Sequence, residues 1–82
     1  MKYQVLYGKL SNNGNGVLDV WTETNHLKLA VNEAEKLAKK WQECELDKNN
    51  HLHIEVIIEE TQELKFLIMI NHKGEIIDKY RN

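Results

Sequence analysis

The sequence predicts an α+β domain: a five-stranded, mostly antiparallel sheet with one helix packed on one face, in the order β-β-α-β-β-β. Three observations carry this. An apolar stripe at helical spacing occurs at Ala34, Leu37, Ala38, Trp41 and Cys44. Alternation with period two recurs on both sides of that stripe. Clusters of asparagine and glycine separate the alternating runs.

Each element follows from local chemistry. Lys2–Gly8 alternates with Tyr3, Val5 and Tyr7 on one face, and reads as the first strand. Ser11-Asn12-Asn13-Gly14-Asn15-Gly16 is rich in residues that tolerate positive φ and reads as a hairpin loop. Val17–Glu23 returns as a second strand, with Trp21 near its end, and Thr24-Asn25-His26 reads as a turn. Leu27, Leu29 and Val31 alternate briefly, as a short strand or an extended lead-in. Asn32 with Glu35 three residues on is an asparagine variant of the capping box, so the helix is expected to start there. It is expected to fade near Leu46–Lys48, with Asn49-Asn50 closing it.

The remainder reads as a meander. His51–Glu59 places Leu52, Ile54, Val56 and Ile58 on one face, and Leu64–Ile70 places Leu64, Phe66, Ile68 and Ile70 on one face. Matching these faces sets Ile58 against Leu64 and Leu52 against Ile70, with Glu60-Thr61-Gln62 as the loop. Asn71–Glu75 suits a type I turn with Gly74 left-handed, which sets Ile70 against Ile76 in a last strand over Glu75–Tyr80.

The bulk numbers limit function. Eighty-two residues, 41% hydrophobic and 29% charged, make one small domain spanning 1–82. A chain this short has a thin core and gains from association with something else. Cys44 alone excludes a disulfide framework and reads as a buried structural thiol. No apolar run approaches the roughly 20 residues of a membrane span, and the first residues lack a signal-peptide pattern, so a cytoplasmic protein is expected. Nine asparagines, and lysine at ten of the eleven basic positions, match AT-rich codon usage in a bacterium or a phage. Residues 1–41 carry six lysines against four acids, whereas 42–82 carry five basic residues against nine acids. With a net charge of −2 and Arg81 the single arginine, tight phosphate-driven binding is not expected.

Function is read as a non-enzymatic interaction module that associates with itself or another protein. The expected surface is the outer sheet face, where strict alternation places Ile57, Leu67, Met69 and Ile77 together, with His53, Glu55 and Lys79 at the rim. The alternative is a nucleic-acid-binding regulator using Tyr3, Tyr7 and Trp21 for stacking and Lys36, Lys39 and Lys40 for phosphates. A third reading is a small metal- or ligand-binding protein through His51, His53 and His72. No cofactor is expected. Ser11 lies in a flexible loop, Cys44 has no local base, and Glu59, Glu60 and Glu63 form an exposed acidic tip, so no catalytic set assembles.

Overall fold

The computed structural model describes residues 1–41 and 46–82. Its elements are β1 (Tyr3–Ser11), β2 (Asp19–Thr24), α1 (Leu27–Trp41), β3 (Asn50–Ile58), β4 (Leu64–Ile70) and β5 (Ile76–Arg81). They form one antiparallel sheet in the order β2-β1-β3-β4-β5, with α1 on one face. The α+β assignment and the element order are as the sequence predicts. Among the described residues, no helix is long and apolar enough to cross a membrane.

The helix begins five residues before Asn32. Leu27, Ala30, Val31, Ala34, Leu37, Ala38 and Trp41 form one stripe against the sheet. Residues 27–31 belong to it, and the alternation of Leu27, Leu29 and Val31 is coincidental: Leu29 is half exposed on the opposite side. Asn32 is an exposed mid-helix residue and not a cap. Leu46 and Asp47 lie beyond the helix, and Leu46 packs against the core. Cys44, Glu43 and Glu45 lie outside the described residues.

The register places the core. Val5, Val56 and Phe66 lie abreast on the helix side, as do Tyr7, Ile54 and Ile68. Phe66, Leu37, Leu52, Ile54 and Ile70 are fully buried, each contributing roughly 1.5–3 kcal/mol through lost contact with water. The β4–β5 turn is as expected: Asn71 Oδ1 accepts from the Lys73 and Glu75 amides at 3.0 and 2.9 Å, and Gly74 takes φ 80°.

Three irregularities correct the sequence-based faces. Lys65 is an extra residue in β4, so Leu64 opposes Ile57 and not Ile58. The β3–β4 loop is correspondingly longer, residues 59–63, with Gln62 at φ 62°. Ile77 is an extra residue in β5: Ile70 still opposes Ile76, but Met69 opposes Asp78 and Ile68 opposes Lys79. A bulge reverses the alternation beyond it. Asp78 and Tyr80 therefore lie on the outer face, and Lys79 and Arg81 on the helix side.

The third irregularity is at the first hairpin. β1 continues to Ser11 and β2 starts only at Asp19, so Val17 and Leu18 are not strand. Instead residues 16–18 cross the outer face of β1. A side chain on Gly8 would collide with the Val17 carbonyl and sit 3.0 Å from Leu18 Cδ2. Gly16 in turn lies against Leu10.

Two stability measurements check this architecture. Asn32→Ala is expected to raise the urea midpoint, by about 0.5 kcal/mol of helix propensity, whereas an N-cap would lose about 1 kcal/mol. Gly8→Ala is expected to destabilise by about 1–3 kcal/mol, because the crossing loop has to move; an unchanged midpoint would show that the loop is not seated on β1.

Candidate interaction surface

The helix covers the sheet unevenly. It follows β2 after only Asn25 and His26, so its start is tied to that edge, and it lies over β1, β2 and β3. It meets β4 only marginally, and no Cα of α1 comes within 8 Å of one in β5. β5 is exposed along its whole length, with Ile76 at 51%, Ile77 at 52% and Tyr80 at 43%.

The β4–β5 ribbon has two sides. On the outer side Leu67 lies between Glu55 and Tyr80, and Met69 lies between His53 and Asp78. Of the residues the sequence groups here, Leu67, Met69, His53 and Glu55 do share this face. Ile57 shares it but is buried, flanked by Gln4 and Leu64. Lys79 does not share it, and Ile77 occupies the bulge. Tyr80 and Asp78 take their places; no pattern in Ile76-Ile77-Asp78-Lys79 announces the extra residue.

On the helix side, a shallow cavity of about 150 Å³ opens between α1 and β5. It is lined by Glu35, Ala38, Lys39, Ile68, Ile76 and Lys79. Lys39 therefore faces β5, while Lys36 points away and pairs with Glu33 at 3.6 Å.

The other end of the outer face holds the histidines. His51 opposes Leu10 and His53 opposes Gly8, the two β1 residues on which the 16–18 crossing lies. His51 is only 4% exposed, and its Nε2 has no hydrogen-bond partner. His53 Nε2 is 3.0 Å from Glu55 Oε2, which orients the ring. Burial, and secondarily the neighbouring His53, hold His51 below its ordinary pKa of 6.5. His72 is exposed in the β4–β5 turn. Among the described residues no three histidine, cysteine, aspartate or glutamate side chains are placed to hold a metal ion.

The aromatic set is only partly gathered. Tyr7 meets Trp21 edge-on at 5.6 Å and Trp41 at 6.1 Å. Lys40 lies over Trp21 at 5.7 Å, and Lys9 over Trp41 at 5.4 Å. Of the three candidate stacking rings, Trp21 thus has a face engaged by the protein's own Lys40. Tyr3 packs separately against the core. The chain matches no family model, no curated protein and no solved structure.

The depressed His51 pKa has a defined sign. The unfolded chain takes up a proton near pH 6.5, and the folded chain only at lower pH. The stability associated with neutral His51 is complete above that value and is lost as pH falls through the lowered folded value. Urea unfolding at about pH 7.5 and about pH 5.5 should show this loss, and His51→Gln should flatten it. An unchanged slope in the variant would assign the acid sensitivity elsewhere.

Proposed function

We propose that this domain is a non-catalytic protein-interaction module, and that its contact surface is the β4–β5 ribbon. The observation that carries the reading is the position of α1. The helix lies over β2, β1 and β3, meets β4 only at its helix-side core residues and does not reach β5, while the outer side of β4 and both sides of β5 carry apolar side chains with no helix over them. On the outer side Leu67, Met69 and Tyr80 form an apolar centre, with Glu55, His53 and Asp78 around it. This is the core-and-rim composition of an interface. A second copy of the chain is the first partner to test, since self-complementary patches are the commonest route to association.

Sedimentation equilibrium checks this. The wild-type chain should form dimers at micromolar concentration. Leu67→Glu should weaken association at least about 30-fold, the effect of losing a central contact worth about 2 kcal/mol. Circular dichroism should show the variant folded. Monomers at every concentration, or a dimer indifferent to Leu67→Glu, would remove this face as the self-association surface.

A further inference from the structure

We propose that the free edge of β5 binds an extended acidic segment of another protein by strand addition; this rests on the reading of the β4–β5 ribbon as the contact surface. The backbone sets the geometry. The Asn82 amide donates to the Lys65 carbonyl at 3.1 Å. Main-chain groups alternate in direction along an antiparallel strand. Asp78 and Tyr80 therefore turn theirs toward β4, and Lys79 and Arg81 turn theirs outward.

The same two residues carry their side chains on the helix side, opposite Ile68 and Phe66. Lys39 approaches from α1 across the cavity. Among the described residues none of Lys39, Lys79 and Arg81 forms an ion pair; Glu35 is the acid lining the same cavity. A strand that hydrogen-bonds to Lys79 and Arg81 places its own facing residues directly opposite them. Cross-strand neighbours of opposite charge stabilise such pairing, and like charges oppose it.

This excludes a second β5 as the occupant. Antiparallel pairing about a two-fold axis, with the outward groups of both strands matched, has three central registers. They set Lys79 against Lys79, Lys79 against Arg81, or Asp78 against Asp78. The edge therefore rejects its own copy while remaining open to an acidic strand. Charged edges commonly prevent indiscriminate pairing, and here the charges also choose the partner. The complementary segment reads acid–any–acid–any–apolar: acids opposite Arg81 and Lys79, then an apolar residue toward the Ile68–Ile76 floor of the cavity.

The test is fluorescence anisotropy with a labelled peptide Thr-Glu-Thr-Glu-Thr-Ile-Thr and the full chain. Saturable binding is expected, with a lysine-for-glutamate peptide binding at least about 10-fold more weakly. The double variant Lys79→Glu/Arg81→Glu should invert that preference. N-methylation of the two glutamate amides should abolish binding, and N-methylation of the threonine between them should not, because only the former face β5. Binding should persist in Leu67→Glu, which alters the other side of the sheet. No binding at millimolar peptide, or binding indifferent to the methylated position or to charge reversal, overturns strand addition. If the peptide fails while Leu67→Glu still breaks the dimer, strand addition alone falls; if both fail, so does the ribbon as a contact surface.

Discussion

The structure depends on one mismatch: a single helix of fifteen residues serves five strands. A helix with its side chains is about 10 Å wide, and adjacent strands lie about 4.8 Å apart. It can shield two or three strands, not five. Which three is settled by chain connectivity. With only two residues between β2 and α1, the helix has to start near the β2 edge. It then runs over β1 and β3, where Ala30, Ala34 and Ala38 allow close approach to Val5, Ile54 and Val56. β4 contributes Phe66, Ile68 and Ile70 to the rim of that core, and β5 is left outside it.

The first hairpin deepens the asymmetry. Its connection crosses the outer face over Gly8 and Leu10, and so covers the half of the sheet that already has the helix on its other side. His51, paired with Leu10 beside this crossing, is buried, and its neutral form is favoured because no partner offsets the loss of water. β1 thus has the helix on one face and the crossing over Gly8 and Leu10 on the other, whereas β2 stays largely exposed. β4 is covered on its helix side alone, through Phe66, Ile68 and Ile70, and β5 on neither side, so Ile76, Ile77 and Tyr80 stay exposed.

Sequence periodicity reveals what repeats and misses what interrupts repetition. The meander registers Leu52–Ile70, Ile54–Ile68 and Val56–Phe66 follow directly from alternating apolar residues, and the Gly74 turn follows from Asn71 and Gly74. The bulges at Lys65 and Ile77 leave no such trace, because each adds one residue without changing composition. Their effect is nonetheless large: Lys79 moves from one face to the other. The helix start was obscured differently. Asn32-Glu33-Ala34-Glu35 imitates a capping box, but the stripe through Leu27, Ala30 and Val31 continues across it, and burial of that stripe outweighs a local cap. On the candidate surface, Leu67, Met69, His53 and Glu55 were legible from alternation. Tyr80 and Asp78 were not, since their side depends on the bulge.

The two sheet edges are therefore not equivalent. On β2 an extra residue falls at Trp21, whose ring is held by Tyr7 and covered by Lys40. That bulge sits in the middle of a six-residue strand and breaks the run of outward main-chain groups. On β5 the extra residue falls near the start, and Asp78–Arg81 then continues regularly beside β4. A regular edge needs a safeguard against indiscriminate pairing, and the charges of Asp78, Lys79 and Arg81 supply one without removing the hydrogen-bonding groups. Because Lys79 and Arg81 lie on the face that α1 leaves open, their charge is displayed beside an apolar floor instead of being covered. The short helix, the early bulge and the basic pair thus combine at one place, the edge at which strand addition is proposed.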